Sequence, residues 1–216
     1  MTAPPPIEPK IYHITPVQSL ASMIDCGCIW SDVQMIARGL ANLNIGISDI
    51  KERRRKLQVH CNPGTKVGEY VPFYFCPRSI MLYILHCKNH KDLKYTGGQQ
   101  PILHLESKLK VVVQWAEANQ KPWAFSTRNA GTHYADFYND LRDLYRINWS
   151  AVSATDFRDA TIKEGKQAEF LLFESFPLTF VDRVGVFDSQ VEQQIESLFE
   201  GTKYNPVVVV QRNWYY

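Results

Sequence analysis

The sequence predicts an α+β fold, and three observations carry that reading. Strand-like runs recur along the whole chain, at 11–15, 71–75, 102–105, 123–126, 167–173, 181–187 and 207–211. Helical spacing separates only some of them, without the regular alternation of a doubly wound parallel sheet. No composition break divides the 216 residues, so one core and one domain, residues 11–216, are expected behind a flexible proline-rich arm at 1–10.

In order, Thr2 to Pro9 is too rich in proline to join a ladder, and Ile11-Tyr12-His13-Ile14-Thr15 is a first strand stopped by Pro16. Val17, Leu20 and Ile24 have helical spacing, with Gly27 placed to end that helix. Residues 30–46 lack periodicity and are expected to form a ligand-covering loop. Ser48 is an expected N-cap, only half formed because Lys51 stands where a capping box wants Glu. A strand at 71–75 precedes a largely apolar helix at 79–90, and Gly97-Gly98 turns the chain into the strand at 102–105. Residues 108–119 are ambiguous: Val111-Val112-Val113 favours a strand, Glu117-Ala118 a helix. A strand at 123–126, a helix at 135–145 with Phe137, Leu141 and Leu144 inward, and a polar stretch at 148–166 follow. Strands at 167–173 and 181–187, a helix at 191–199 and a strand at 207–211 complete the chain.

The formal charge is only +2, which excludes a global field that recruits polyanions and leaves local patches such as Lys51-Glu52-Arg53-Arg54-Arg55-Lys56. The 11 Tyr, 11 Phe and 5 Trp suit both a packed interior and stacking surfaces for flat ligands. Five cysteines without framework spacing, and no charged-then-apolar leader, point to a reducing cytoplasm. No apolar run approaches the roughly 20 residues that span a bilayer.

Glu169 opens a strand that is otherwise apolar on both faces, which places a carboxylate where water is scarce. It is either paired or used on a ligand, for instance to steady positive charge on a reacting sugar, or it merely marks the strand's solvated end. Ile47, Ile50, Arg54 and Leu57 recur at helical intervals, putting Arg54 on the apolar face. There its fork of donors fits a phosphate, an internal salt bridge or a snorkelling stem. Arg53, Arg55, Lys51 and Lys56 fall off that stripe as a solvated face, with a secondary role in holding a nucleic-acid backbone.

His13 and Thr15 point the same way from their strand, suited to a ribose edge, although a lone strand histidine is commonly structural. Tyr74 shares a face with Pro72 and Cys76 and is placed to line a cleft, and Arg78 and Met81 follow in a neighbourhood that suits a base or a nicotinamide. Cys26 and Cys28 with His60-Cys61, or Cys87 with His86 and His90, lack a second paired spacing, so no metal is expected. The chain carries no P-loop, no Gly-x-Gly-x-x-Gly after a strand and no zinc-protease helix.

Several ordered blocks then converge: Tyr12-His13-Ile14-Thr15, Asn44-Ile45-Gly46 before Ile50-Lys51-Glu52-Arg53-Arg54, Tyr70 to Ser79, and Lys166-Gln167-Ala168-Glu169-Phe170-Leu171. Together, from about Ile11 to the C-terminus, they resemble the DarT family, the DNA ADP-ribosyltransferase toxins of DarTG toxin–antitoxin systems. The resemblance implies the ADP-ribosyltransferase fold, a split β-sheet core related to the poly(ADP-ribose) polymerases, whose cleft binds NAD+. It implies transfer of ADP-ribose onto thymine N3 in single-stranded DNA within a short sequence context, blocking replication, with a macrodomain antitoxin as partner.

By the same likeness Glu169 and Arg54 are the catalytic pair, and His13, Ile14, Thr15, Gly27, Arg54 and Tyr74 are NAD+ contacts. Residues 35–56 would fold over NAD+, and 129–166 would present DNA. The DNA-binding candidates are Arg53, Arg55, Arg78, Met81, Arg128 and Asn129. One departure stands out: where related sequences often carry a histidine, this chain reads Phe125-Ser126-Thr127-Arg128-Asn129-Ala130, so base preference differs or Asn129 supplies the same hydrogen bond. Two rivals are a non-catalytic single-strand binding module and a transferase of the same fold acting on protein or RNA.

Overall fold

The computed structural model of the protein describes residues 3–40 and 45–216. Thr2, Asn44 and the parts of the predicted 30–46 and 35–56 segments that fall at 41–44 lie outside the described residues. The elements run β1 (Lys10–Pro16), α1 (Leu20–Cys26), β2 (Cys28–Trp30), α2 (Asp32–Ala37), α3 (Ser48–Arg54), β3 (Tyr70–Tyr74), α4 (Ile80–Cys87), β4 (Ile102–Lys108) and α5 (Leu109–Ala118). They continue with β5 (Trp123–Ser126), β6 (Phe137–Tyr138), α6 (Trp149–Ser153), α7 (Ala160–Gly165), β7 (Glu169–Phe173), β8 (Ser175–Pro177), β9 (Arg183–Val186), α8 (Ser189–Phe199) and β10 (Val207–Val210).

Eight strands form one sheet in the order β10-β9-β4-β1-β3-β7-β5-β6, and β2 pairs with β8 in a small second sheet. Only β10 and β9 run parallel, so the mixed α+β class predicted from the sequence is the class observed. β1 pairs with β4 over its whole length, from Lys10↔Lys108 to Pro16↔Ile102, but meets β3 at the single pair Tyr12↔Tyr74. Continuing that register would oppose Ile14 to Pro72, and Pro72 has no N–H to give. Its carbonyl instead accepts from the His13 ring, whose Nδ1 lies 2.9 Å away. The sheet therefore splits between β1 and β3, and the cleft opens at the split.

The main core packs Phe73, Phe170 and Phe176 from β3, β7 and β8 against α5 and α8. At α5 the expected ambiguity resolves to helix, because Leu109, Val112, Val113 and Ala116 recur on one buried face while Val111 is exposed. Burial of that face outweighs the β preference of three valines.

Four expectations are corrected. The 30–46 stretch contains β2 and the short α2, which Ser31 caps by accepting from Gln34 N at 3.3 Å; six helical residues are too few to show a period. Ile47, not Ser48, is the N-cap of α3, with no side-chain cap. The helix expected at 135–145 is β6 followed by a 3₁₀ turn, Leu141–Arg146, with Asp140 accepting from Arg142 N. The polar 148–166 stretch holds α6 and α7, capped by the side chains of Asn148 and Asp159. The proline-rich arm is tethered at Ala3, whose N–H donates to Ser150 Oγ at 2.9 Å.

Candidate active site

Glu169 is the first residue of β7, with Ser126 of β5 and Tyr74 of β3 as its cross-strand partners. It is only 3% exposed. Burying a carboxylate is costly unless several donors replace its water, and here they do. Arg54 Nη1, at the last residue of α3, donates to Oε1 at 3.0 Å and Oε2 at 2.9 Å, and the backbone N–H of Ala130 donates to Oε1 at 2.9 Å. Both helix and strand thus deliver their charged residues at their ends, where the backbone leaves the core. Arg54 Nη2 is buried without a partner among the described residues, leaving a further donor for a ligand.

The pair sits in a cavity of about 420 Å³ walled by both sides of the sheet split, with His13 and Thr15 from β1 and Tyr74 from β3 among its lining. That size is typical of small-molecule sites. His13 donates its Nδ1–H to Pro72 O, which fixes Nε2 as an acceptor. Burial lowers the His13 pKa, against the raising effect of that hydrogen bond, so the ring is held neutral. Burial, and then the negative charge of Glu169, push the Tyr74 phenol up. Ile14 and Met81 also line the cavity, Ile14 from within the cluster that holds Leu82 and Trp214.

Gly27 ends α1 in the left-handed region, φ 73°, and a Cβ there would fall 2.7 Å from the Tyr204 hydroxyl. Its neighbours Cys26 and Cys28 line the cavity. α2 and α3 are clasped over one side of the cavity by Asp32, which pairs with Lys51 at 2.7 Å and Arg55 at 3.2 Å. The solvated face expected of Lys51 and Arg55 is thereby corrected, since both are half-buried ion-pair partners; Lys56, paired with Glu52, is the exposed one.

The remaining candidates lie around the rim. Arg53 Nε donates to the Gly131 carbonyl. Arg128 pairs with Glu164 at 2.8 Å, and its Nε is buried without a partner among the described residues. The Asn129 side chain is engaged at both ends, donating to Gln167 Oε1 at 3.1 Å and accepting from Gly131 N at 2.7 Å. Arg78 lies over the Tyr216 ring at 4.4 Å.

Three features escaped the sequence. The Ala130 amide has no side-chain signature, and Asp32 is one carboxylate among many until α2 is seen. The ring cluster of Tyr83, Phe157 and Tyr216, with centroids 5.0 to 5.8 Å apart, joins residues distant in sequence. Among the described residues, no group of three or more His, Cys, Asp or Glu side chains could hold a metal ion, and no helix is long and apolar enough to cross a membrane.

A sheet split open over an acid and an arginine is the architecture of the ADP-ribosyltransferases, and comparison with known proteins narrows the class. The family model described as "ssDNA thymidine ADP-ribosyltransferase, DarT" matches residues 12–216, and the chain belongs to the DarT family. It is 37% identical over 213 residues to a DNA ADP-ribosyl transferase of Thermus aquaticus, covering 98% of this chain and 90% of the relative. Among solved structures it resembles Thermus sp. 2.9 DarT in complex with ADP-ribosylated ssDNA, with TM-score 0.90 and 31% identity over the whole of both chains. It likewise resembles the same protein in complex with NAD+, with TM-score 0.82 and 30% identity, covering 98% of this chain and 99% of that one.

Proposed function

We infer that this protein transfers the ADP-ribosyl group of NAD+ to thymine, at N3, in single-stranded DNA, acting as a toxin that blocks replication. The observation that carries the inference is the Arg54–Glu169 pair at the sheet split, inside a chain matched to the DarT model from residue 12 to 216. Residues 11–216 act as one catalytic domain behind the arm, in the cytoplasm, under the control of a macrodomain antitoxin that removes the mark.

NAD+ supplies a ribosyl carbon already bonded to a good leaving group, so the protein's task is to stabilise positive charge on the sugar. Glu169 is the catalytic carboxylate in that sense. Oε1 is held by the Ala130 amide, while Oε2 has Arg54 as its one hydrogen-bond donor among the described residues and has room to accept from a ribose hydroxyl. Arg54 is the second catalytic residue, holding substrate anions with Nη2 and polarising the thymine carbonyls, so that N3 bonds to the ribosyl carbon as nicotinamide departs and the N3 proton passes to solvent. It stays protonated throughout, because a guanidinium is a very poor base. His13 Nε2 and the Thr15 hydroxyl are assigned to a second ribose edge and Tyr74 to the nicotinamide face, with Ile14 in the same wall and Gly27 between the lining residues Cys26 and Cys28.

Helix α4 relates this pocket to a path for DNA. Its Ile80, Met81 and Ile84 line the cavity, while Tyr83 on the next stripe joins Phe157 and Tyr216 in the partly exposed ring cluster beside Arg78. Unpaired bases stack on such rings whatever their sequence. Met81, Arg78 and these rings are therefore assigned to the strand flanking the target base, with Arg53, Arg55 and Arg128 supporting its phosphates.

Incubation with NAD+ and a panel of single-stranded oligonucleotides, followed by mass spectrometry, tests the inference. An ADP-ribose adduct on thymine N3, absent from thymine-free strands, is expected. Labelling confined to RNA or protein, or binding of DNA with no dependence on NAD+, refutes it.

A further inference from the structure

We propose that Asn129 is a positioning residue for the transfer step, shaping the turn that aims the Ala130 amide at Glu169. The proposal rests on the reading of Glu169 as catalytic. Asn129 Oδ1 accepts from Gly131 N at 2.7 Å, a side-chain turn of the kind asparagine forms with its own backbone two residues on. Its carbonyl accepts from Thr132 N at 3.1 Å, closing the backbone turn around the same residues. Its Nδ2 donates to Gln167 Oε1 at 3.1 Å, and Gln167 Nε2 in turn donates to Lys163 O, so the side chain is anchored from the segment leading into β7.

With both ends of Asn129 fixed, the amide between them points into the site. Ala130 N–H donates to Glu169 Oε1 at 2.9 Å. The next residue of the turn faces the other charged partner. The Gly131 carbonyl accepts from Arg53 Nε, and a Cβ at Gly131 would lie 3.3 Å from Arg54 Cγ and 3.0 Å from Asn129 Oδ1. One four-residue turn therefore touches both α3 and Glu169, and Asn129 is the side chain that folds it.

This arrangement has a functional logic. Arg54 is shared between Glu169 through Nη1 and a ligand through Nη2, whereas the Ala130 amide is a contact to Oε1 that has no second task. The charged and titratable groups packed on Glu169 are Arg54 from α3 and Tyr74 from β3; β5 contributes the Ser126 hydroxyl, 3.3 Å from the Glu169 N–H.

The test compares Asn129→Ala with Asn129→Ser, which keeps an oxygen able to form the same turn more weakly. Expected for Asn129→Ala are a kcat lowered roughly ten- to a hundredfold and an unchanged KM for NAD+. Asn129→Ser should recover part of the rate. Equal loss of kcat in both variants, or a defect confined to the KM for the oligonucleotide, overturns the proposal; the second result makes Asn129 a base contact. Glu169→Gln is run alongside: if that variant labels DNA at the wild-type rate, it is the catalytic reading of Glu169 that fails.

Discussion

Glu169→Gln removes one negative charge and almost no volume, which makes it a clean perturbation of the site. The carboxylate accepts three hydrogen bonds within 3.0 Å and is 3% exposed, so its charge acts through protein rather than water. A ribosyl cation whose hydroxyl bonds to Oε2 lies roughly 4 Å away, where unit charges at an effective dielectric near 20 attract by about 4 kcal/mol. At 1.36 kcal/mol per decade, losing that attraction slows transfer about a thousandfold. The assay is single-turnover labelling of a thymine-containing oligonucleotide, with thermal unfolding run in parallel to show an intact fold. The KM for NAD+ should stay within a few-fold, because the charge is required chiefly as the bond breaks. A Gln variant within tenfold of wild type would sink the electrostatic argument.

Three further outcomes are expected. His104 is fully buried and donates through Nε2 to Pro77 O, with Nδ1 buried and unpartnered, and burial pushes its pKa down to about 4 from 6.5. The neutral ring is the folded form, so its stability contribution is complete above pH 6.5 and is lost as pH falls toward 4, about 2 kcal/mol by pH 5; urea melts at pH 7 and 5 should show a smaller difference in His104→Gln, and an equal one contradicts the assignment. Gly27→Ala places a Cβ at positive φ against the Tyr204 hydroxyl and should cost about 1–3 kcal/mol in urea unfolding, a change under about 0.5 kcal/mol being incompatible with the contact. Phe157→Ala should weaken binding of single-stranded DNA roughly five- to a hundredfold by fluorescence anisotropy, and unaltered affinity would remove the ring cluster from the DNA path.

What could be read from the sequence divides along physical lines. Arg54 on the apolar stripe of a basic run and Glu169 at the start of an apolar strand each advertised a charge in a dry place, and the structure joins them. Gly27 as the end of α1 was also legible, because that signal is local. The helix expected at 135–145 failed because Phe137, Leu141 and Leu144 meet helical spacing while the chain there pairs with β5 at Phe125↔Tyr138. Tertiary pairing outweighed local periodicity. The Asp32 clasp and the Ala130 amide were invisible for a different reason: one depends on a six-residue helix, the other on a backbone atom that every residue carries.

Pro72 has a consequence that reaches beyond its strand. An ordinary gap between two strands tends to zip shut whenever its contents leave, since unpaired amides and carbonyls seek each other. On this edge of β3 the missing hydrogen is a matter of covalent structure, and the carbonyl beside it is already taken by an imidazole. The groove consequently persists between turnovers, and an incoming dinucleotide meets a berth whose walls need no prising apart.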